Sequence, residues 1–448
     1  MKNIFLETYG CQMNEYDSEL IRSILAENNF KFVSSQEAAQ VVLINTCAVR
    51  ENAHQKIFHR LDELKGMKRR GEIKVVGVLG CMAQSLRKDL AEHSPTVDIV
   101  AGPDSYKKLP NLLNAVSESS AKGFDFSLSE FETYADVTPK RLAGVNAWIA
   151  VMRGCDNFCT FCVVPYTRGR ERSRTVESVL NEAHRIESEG FKQVTILGQN
   201  VNSYSSEGND FADLMKQLAE KTHIPRIRFT SPHPKDFPRR LLHIIAEYPS
   251  LCKQIHLPLQ AGNDAVLQRM NRTYSKKEFY ALVDEIREII PGVGLTTDVI
   301  VGFSGETDAE FEDTFEVMER VRFDSAFIFK YSERKNTIAS RELPDDVPEH
   351  LKTERIVRLN ELQRQISKEI NQSEVGTTKT VLIESVSKKD PNQWLGKTDQ
   401  NKGVVFTAEN LKPGDFVEVA ITSATTNTLL GEIATPVKKP LKVLSLSI

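Results

Sequence analysis

Three cysteines close together on one short segment are the strongest chemical signal in the sequence. Cys155, Cys159 and Cys162 form a CxxxCxxC motif directly after an apolar run that predicts a β-strand. Three thiolates on one loop can bind three irons of a 4Fe-4S cluster and leave the fourth iron open to a substrate or cofactor. Structural zinc is the alternative, but it needs a fourth ligand, and His184 belongs to the next predicted helix.

A second set of cysteines is spread over the N-terminal part of the chain. Cys11, Cys47 and Cys81 each follow a predicted strand and lie about one βα unit apart. Because the carboxyl ends of parallel strands share one edge of an open sheet, we expect the three thiolates to converge and hold a second cluster. Three buried structural cysteines are the alternative. The seventh cysteine, Cys252, lies in an apolar stretch and is predicted to be a core residue.

Length, charge and hydropathy restrict the class of protein. The chain has 448 residues, a length that suggests about three domains. Its 58 Lys and Arg against 61 Asp and Glu give a net charge of −3, so any nucleic-acid surface must be a local basic patch. No apolar run approaches the ~18 residues that span a bilayer, and an odd cysteine count argues against a disulfide framework. We expect a monomer in the cytoplasm that binds no membrane.

The expected fold class is α/β, with three successive domains. Residues 1–118 alternate β-branched runs with helical patterns and predict an open parallel sheet. Its strands are predicted at residues 4–8, 41–45, 75–79 and 98–101, and its helices at 18–27, 52–68 and 109–116. Residues 119–143 are predicted to be a linker, and we expect its aromatic side chains to dock on a neighbour, namely Phe124, Phe126, Phe131 and Tyr134.

Residues 144–372 predict a second α/β domain, an open, partial (βα)6 barrel. Its strands are predicted at residues 148–152, 194–197, 227–230, 255–259, 295–301 and 326–329, and its helices at 177–187, 277–290, 310–321 and 351–370. Residues 373–440 change to β-branched runs broken by turns. They predict a small all-β barrel of the OB kind, with strands at 378–383, 403–406, 416–421 and 429–433.

The cysteine motifs resemble those of a known enzyme family. The CxxxCxxC loop, with the aromatic Phe161 before its third cysteine, resembles the loop of radical S-adenosylmethionine (SAM) enzymes. Two three-cysteine sets followed by a small β-barrel resemble the methylthiotransferases over essentially the whole chain. The segments 197–204, 230–234, 256–260, 297–303 and 331–334 agree with that family. Residues 261–263 and Ser304 depart from its usual residues, which bears on loop rigidity rather than on the reaction.

The resemblance implies an activity. It implies SAM at the open iron of the cluster on Cys155, Cys159 and Cys162, a second 4Fe-4S cluster that carries sulfur, and use of two SAM molecules. Residues 162–174 are most similar to the branch that methylthiolates carbon 2 of N(6)-isopentenyl adenosine at position 37 of tRNA. The alternatives are the same chemistry on threonylcarbamoyl adenosine or on a ribosomal-protein aspartate, and a non-catalytic iron-sulfur module that binds RNA.

Partners and cofactor contacts are implied as well. The partners are the tRNA, an electron donor of flavodoxin or ferredoxin type, and a system that delivers sulfur or clusters. Polar residues at barrel strand ends lie where barrel active sites lie, although each can instead serve as a turn or cap. We expect the following residues to face SAM or the target base: Phe161, Gln199, Asn200, Ser231, Gln260, Asp298, Ile300 and Gly302. Val299 and Ile300 are expected to form an apolar wall for the SAM adenine and Gly302 to allow its close approach, with plain core strand as the alternative for the two aliphatic side chains.

Two features are interpreted as RNA contacts. Arg168, Arg170, Arg172 and Arg174 follow the cluster loop, and alternate spacing points them one way if the segment is extended. We expect them to contact phosphates, with a solvated charged face as the alternative. The C-terminal barrel resembles a TRAM domain, an RNA-binding module, in which Trp394 and Phe406 can stack on bases. Packing of both rings inside the barrel is the alternative.

Overall fold

A computed structural model describes residues 3–48, 51–119 and 121–434, and the chain divides into two compact units, Met1–Leu362 and Gln363–Ile448. The predicted end of the third domain, residues 435–440, lies outside the described residues. Within the described chain, no helix combines the length and the apolar character needed to cross a bilayer.

Buried β-branched runs build the N-terminal sheet of the first unit. Its strands are β1 (Asn3–Tyr9), β2 (Lys31–Phe32), β3 (Val41–Thr46), β4 (Val75–Gly80), β5 (Ile99–Ala101) and β6 (Gly123–Asp125). Its helices are α1 (Gln12–Glu27), α2 (Glu51–Arg69), α3 (Cys81–Leu86), α4 (Lys88–His93) and α5 (Leu109–Ser119). The strands pair in parallel in the order β2-β1-β3-β4-β5-β6. The central strands β3 and β4 are buried along their whole length between two cores, which confirms the predicted open parallel sheet.

The sheet extends into the segment that the sequence analysis took for a linker. β6 pairs with β5 from Ile99 and Gly123 onward, so the predicted linker over these residues is wrong. With three residues and a single apolar side chain, β6 is too short to show a strand pattern. Farther along, Tyr134 is fully buried and its hydroxyl donates to Pro103 O at 2.9 Å, as its predicted docking requires. Phe131 is 86% exposed, so its predicted docking is wrong.

Six parallel strands among the described residues form the predicted partial barrel. They are β7 (Asn146–Ala150), β10 (Gln193–Leu197), β13 (Arg226–Phe229), β14 (Gln254–His256), β15 (Gly294–Val301) and β16 (Ser325–Lys330), and the short pieces between them are β8 (Met152–Arg153), β9 (Arg172–Ser173), β11 (Ser205–Ser206) and β12 (Asn209–Asp210). Two parallel sheets, β7-β10-β13 and β14-β15-β16, meet at one bridge between Ile227 and Leu251.

Amphipathic helices cover the outside of the barrel. They are α7 (Val176–Ser188), α8 (Phe211–Lys221), α9 (Arg239–Glu247), α10 (Asp264–Arg269), α11 (Lys276–Ile289), α12 (Asp308–Val321), α13 (Ile338–Glu342) and, as far as Leu362, α14 (Glu349–Gln372). The short helix α6 (Val164–Arg168) packs against α3 instead. Capping boxes begin three of the covering helices: Asp210 pairs with Asp213 at α8, Ser275 with Glu278 at α11, and Thr307 with Glu310 at α12. Their apolar faces pack on one continuous core with the outward side chains of the strands.

The second unit contains a closed β-barrel in its described residues. Its strands are β17 (Thr378–Val386), β18 (Gln393–Lys397), β19 (Gly403–Thr407), β20 (Phe416–Ala424) and β21 (Leu429–Ile433), in the order β17-β18-β19-β21-β20. The sequence analysis missed β18, which lacks β-branched residues. Gly396 and Gly431 permit closure, because a Cβ would lie 2.5 Å from Leu382 O at the first and 2.4 Å from Ala420 O at the second.

Candidate active site

The first cysteine set lies along one edge of the N-terminal sheet. Tyr9, Thr46 and Gly80 are register partners at the ends of the adjacent strands β1, β3 and β4. Cys11, Cys47 and Cys81 follow directly or one residue later, and the Cys47 amide donates to Tyr9 O at 3.0 Å. The structure therefore places the three cysteines on neighbouring strand ends, as the spacing predicted.

Asparagines fix the backbone at this edge. Asn14 Oδ1 lies 3.3 Å from the Cys11 amide and 3.5 Å from its Sγ, while Asn14 Nδ2 donates to Thr46 O at 3.2 Å. Asn45 Nδ2 donates to Asn14 O at 2.9 Å. A Cβ at Gly10 would lie 2.2 Å from Asn14 Oδ1, so this contact requires glycine before Cys11.

The surroundings favour thiolates at part of this edge. A hydrogen bond with Cys47 lowers the pKa of Cys11 to about 6, against the opposing effect of burial, and Arg168 lowers it further. Burial raises the pKa of Cys81, although Arg168 opposes it. Arg168 Nε donates to Cys81 Sγ at 3.2 Å, so a guanidinium from the barrel domain contacts a cysteine of the sheet domain.

The second cysteine set occupies the loop after β8. Gly154 begins it with φ +81°, and its amide donates to Gln199 Oε1 at 2.6 Å. The Cys155 amide donates to Gly169 O at 3.2 Å, and the Cys162 amide to Cys159 O at 2.9 Å. Burial raises the pKa of Cys155 to about 11 and that of Cys162 to about 12, so both favour the thiol form unless a metal replaces the proton.

Contacts from the far side of the barrel hold this loop. The Thr160 amide donates to Met270 O at 3.0 Å and its hydroxyl to Arg269 O at 2.8 Å. Beside them, Arg272 Nη1 donates to Cys159 Sγ at 3.5 Å. The sequence analysis missed Arg272, which belongs to no motif that it used.

The arginine run after the loop does not form the predicted RNA surface. Arg168, Arg172 and Arg174 are each less than 7% exposed, so their predicted contact with phosphates is wrong for this structure. Arg168 Nη2 donates to Asp17 Oδ2 at 2.7 Å, Arg172 Nη1 to Asp104 Oδ2 at 2.9 Å and Arg174 Nη1 to Glu182 Oε2 at 2.5 Å. Arg170 is exposed and pairs with Asp156 at 3.1 Å. Because α6 ends at Arg168 and a turn precedes β9, the segment is not the extended strand that alternate spacing assumed.

Two of these arginines form ion pairs with carboxylates of the sheet domain. Asp17 is fully buried in α1, and its Oδ1 also accepts from Arg153 Nη2 at 2.8 Å. Burial raises the pKa of Asp17, but Arg168 and Arg153 outweigh it and hold the pKa below its usual value. The run therefore joins the sheet domain to the barrel domain within the first unit.

The residues predicted to contact SAM or the target base lie on several strands of the barrel and on the loops that follow them. Gln199, Asn200, Ser231 and Gln260 follow the ends of β10, β13 and β14; Ser231 and Gln260 have φ of 60° and 65°. Asn200 Oδ1 is buried without a hydrogen-bond partner in the described part of the chain. Phe161 packs edge-on against Phe303, with ring centroids 6.3 Å apart.

The remaining predicted residues belong to β15 and the turn after it. Asp298 lies inside the strand rather than at its end, where its Oδ2 is 3.1 Å from His256 Nε2. Ile300 is half-buried, whereas Val299 is fully buried, so its predicted place in the adenine wall is wrong and it is core strand. A Cβ at Gly302 would lie 2.4 Å from Lys352 Cγ, so a lysine stem makes the close approach expected there.

In the second unit, one of the two predicted stacking residues is inaccessible. Phe406 is 2% exposed in the barrel core, so its predicted stacking on RNA is wrong. Val404 and Phe406 alternate with less buried neighbours along β19, which is the signal for an inward side chain. Trp394 is half-buried, and its Nε1 donates to Ala408 O at 3.1 Å.

The donor sets suit 4Fe-4S clusters. Across the described ranges, no three His, Cys, Asp or Glu side chains gather closely enough to hold a single metal ion. Each thiolate of a cubane cluster binds a different iron, so its ligands are spread over several corners. Beside Cys81, Arg168 Nη1 is buried without a hydrogen-bond partner among the described residues. Buried cationic donors of this kind suit an additional anionic group, as a cluster with three thiolates is.

Comparison with known proteins agrees with this architecture. The radical SAM superfamily matches residues 149–318, uncharacterized protein family UPF0004 matches residues 3–102, and the TRAM domain matches residues 372–434. Among solved structures, the radical S-adenosylmethionine methyltransferase TsrM from Kitasatospora setae, with cobalamin and a [4Fe-4S] cluster bound, has a TM-score of 0.60. The match covers 85% of this chain and 77% of that chain at 13% identity, which shows a shared fold.

Two relatives that match over nearly the whole chain share the name tRNA-2-methylthio-N(6)-dimethylallyladenosine synthase. The protein from Phocaeicola vulgatus is 47% identical over 438 residues, which is 96% of each chain. The protein from Prosthecochloris aestuarii is 44% identical over 437 residues, covering 97% of this chain and 99% of that protein. With this identity over nearly the full length, the chain belongs to the tRNA-2-methylthio-N(6)-dimethylallyladenosine synthase family.

Proposed function

We propose that this chain methylthiolates carbon 2 of N(6)-isopentenyl adenosine at position 37 of tRNA. The names of its relatives support this reaction. The structural observation that carries it is the contact of Arg168 with Cys81. Arg168 comes six residues after Cys162, so the two cysteine sets lie on elements that touch, as transfer of sulfur to a substrate radical requires.

Each cysteine set has its own role in this proposal. Cys155, Cys159 and Cys162 hold the cluster that binds SAM, and Cys11, Cys47 and Cys81 hold the other 4Fe-4S cluster. When bound, the first cluster supplies the electron that cleaves SAM, and the second supplies the sulfur. The chain itself fixes both loops: Gln199 holds the Gly154 amide, and Arg272 and Arg168 each donate to one cysteine.

The inner face of the barrel is proposed to hold SAM and the target base. The buried, unpartnered Oδ1 of Asn200 supports this, because a buried acceptor is normally paired. Asp298 and Ile300 share a face with Phe327 and Phe329 of β16, which are 53% and 41% exposed. We assign the binding of SAM or base to Phe161, Gln199, Asn200, Ser231, Gln260, Asp298 and Ile300, and not to Gly302, where Lys352 fills the space.

Contacts to tRNA are assigned to two residues that the structure leaves accessible. Arg170 is exposed beside the cysteine loop, and its guanidinium lies 4.8 Å from the centroid of the Phe158 ring. Trp394 of the TRAM domain is half-buried, so part of its ring can stack on a base. The proposed compartment is the cytoplasm, where tRNA is modified. The proposed partners are a flavodoxin- or ferredoxin-type electron donor and a sulfur or cluster delivery system, and the enzyme is proposed to act as a monomer.

Iron counting and SAM cleavage test the two cluster sites. After anaerobic reconstitution, we expect ~8 irons per chain, falling to ~4 when Cys155, Cys159 and Cys162 are replaced by Ala, if each site holds four. Dithionite and SAM should then give 5′-deoxyadenosine only with those three cysteines present. Cys252→Ala is the control that keeps all the iron, because Cys252 is a buried core cysteine. Unchanged iron in the triple variant would contradict the assignment.

The substrate is tested by mass spectrometry of nucleosides from cells with and without the gene. We expect loss of the methylthio group from isopentenyl adenosine, restored by the intact gene and not by the triple variant. An intact methylthio group there, with its loss from threonylcarbamoyl adenosine or from a ribosomal-protein aspartate, would overturn the substrate while keeping the chemistry.

A further inference from the structure

We propose that Arg168 is a positioning residue that tunes the cluster on Cys11, Cys47 and Cys81 and ties it to the SAM-cleaving loop. This inference rests on the proposed function, because it takes those three cysteines as cluster ligands. It assigns to a residue of the barrel domain a role at the cluster of the sheet domain.

The contacts of one guanidinium carry the inference. Arg168 Nε donates to Cys81 Sγ at 3.2 Å, and its Nη2 donates to Asp17 Oδ2 at 2.7 Å. The side chain of Arg168 is only 4% exposed. Its third nitrogen, Nη1, is buried without a hydrogen-bond partner among the residues described. A buried charged donor left unpaired is costly, so Nη1 suits an acceptor on the group that the thiolates hold.

The charges around Asp17 also favour a further anion. Asp17 is fully buried between Arg168 and Arg153, and Tyr106 Oη donates to the same Oδ2 at 3.2 Å. Among the described residues, Asp17 is the only carboxylate ion-paired with either guanidinium, and Arg153 has in addition the face of the Tyr134 ring at 4.6 Å. The neighbouring arginines pair with other carboxylates, Arg172 with Asp104 and Arg174 with Glu182, which Arg141 also contacts. As a cluster ligand Cys81 would be a thiolate, and its Sγ is the atom already in contact with Arg168.

The contact between Arg168 and Cys81 matters because Arg168 lies a few residues after the SAM-cleaving cysteine loop in the chain. Arg168 ends α6, which begins two residues after Cys162, and α6 packs on α3, which begins with Cys81. The next residue, Gly169, accepts the Cys155 amide through its carbonyl at 3.2 Å. One short segment therefore contacts both cysteine sets, and a guanidinium on it can hold the sulfur-carrying cluster at a fixed place relative to the SAM-cleaving cluster.

Reduction potentials separate tuning from a purely structural role. Hydrogen bonds and positive charge at cluster sulfurs favour the reduced cluster. The full chain with Cys155, Cys159 and Cys162 replaced by Ala isolates the cluster in question. We call this triple variant the parent chain. At the midpoint potential of the parent, Arg168→Met should lower the ratio of reduced to oxidised cluster about fivefold, because one hydrogen bond to the cluster is lost. Arg168→Lys keeps the charge with a different donor geometry and should give a smaller shift in the same direction.

Asp17→Asn gives a shift of opposite sign. Replacing a buried carboxylate by a neutral amide leaves both arginines uncompensated, so the midpoint potential should rise. Arg170→Met is the matched control, because Arg170 lies in the same segment but is exposed and pairs with Asp156. It should leave the potential unchanged. Potentials are read by electron paramagnetic resonance during anaerobic redox titration, with iron per chain measured on the same samples.

The outcomes distinguish this inference from the proposed function. Absence of iron from the parent chain would overturn the proposed function itself. If the parent chain binds iron but neither Arg168→Lys nor Asp17→Asn shifts the midpoint potential, only the inference is overturned. The same holds if both substitutions shift the potential in the same direction. If Arg168→Met fails to fold, those two variants still decide. Opposite shifts, with Arg170→Met at the parent value, support the assignment.

Discussion

Arg272 donates from Nη1 to Cys159 Sγ over 3.5 Å, and its side chain is buried inside the barrel. Its Nη2 donates to Pro258 O at 3.2 Å and its Nε to Tyr274 Oη at 3.3 Å, so the guanidinium is held by the segment after β14 and by a residue shortly before α11. Each cysteine set thus has one buried arginine in contact with one of its sulfurs.

Loss of the Arg272 contact should make the SAM-cleaving cluster harder to reduce. In a chain with Cys11, Cys47 and Cys81 replaced by Ala, we expect Arg272→Met to lower the midpoint potential, because a cation at a ligand sulfur favours the electron-rich cluster. Redox titration followed by electron paramagnetic resonance measures this. Arg239→Met is the control, since that side chain is 80% exposed and pairs with Glu285. Equal potentials in both variants would show that the contact does not tune the cluster.

The turn before the cysteine loop requires glycine for two separable reasons. Gly154 has φ +81°, and a Cβ there would lie 1.9 Å from Arg170 O. We expect Gly154→Ala to lower the free energy of unfolding by about 3 kcal/mol or more and to release iron from the loop, since strain and overlap add. Gly208→Ala is the matched control: its φ is +79°, but no atom lies within 4 Å, so only the conformational cost of about 1 kcal/mol applies. Urea unfolding with iron analysis compares them, and equal losses would contradict the overlap.

Local sequence patterns were sufficient to predict the strands and helices. They could not predict which residues pair with the buried charges, because those pairs form only when the two domains pack together. The runs at residues 41–45 and 75–79 predicted β3 and β4 because both faces of these strands are buried. The burial of Arg168 could not be predicted in this way. Its partner Asp17 is distant in sequence, on a helix of another domain, and only packing of that helix against the barrel brings the two together. The alternate spacing of the arginines therefore predicted a contact with RNA, whereas in the structure most of these arginines lie in the contact between the two domains.

Burial of Glu19 predicts an unusual dependence of stability on pH. Glu19 is 7% exposed, its Oε2 has no hydrogen-bond partner in the described ranges, and burial raises its pKa from 4.5 to about 7 against the opposing effect of Arg141. Because the pKa is higher in the folded state, its contribution is fully present below pH ~4.5 and is lost as the pH rises through about 7.

We therefore expect Glu19→Gln to match the unsubstituted chain in stability near pH ~4 and to exceed it by about 3 kcal/mol at pH 8. Urea unfolding at both values measures the difference. Glu27→Gln, an exposed position on the same helix, should show no such divergence. A constant difference between Glu19→Gln and the unsubstituted chain across this range would contradict the buried ionisation.

The TRAM barrel separates a ring that can stack on RNA from one that cannot. Trp394 keeps part of its surface accessible, whereas Phe406 lies in the core with Val381, Ile383 and Val419. Because a base can stack only on an accessible ring face, Trp394→Leu should weaken tRNA binding about tenfold at fixed salt. Phe406→Leu should leave affinity unchanged and lower barrel stability by about 1 kcal/mol. Filter binding measures affinity, and Trp394 fluorescence in a Trp148→Phe background follows unfolding of Phe406→Leu. Weaker binding by a stable Phe406→Leu variant would contradict the burial of that ring.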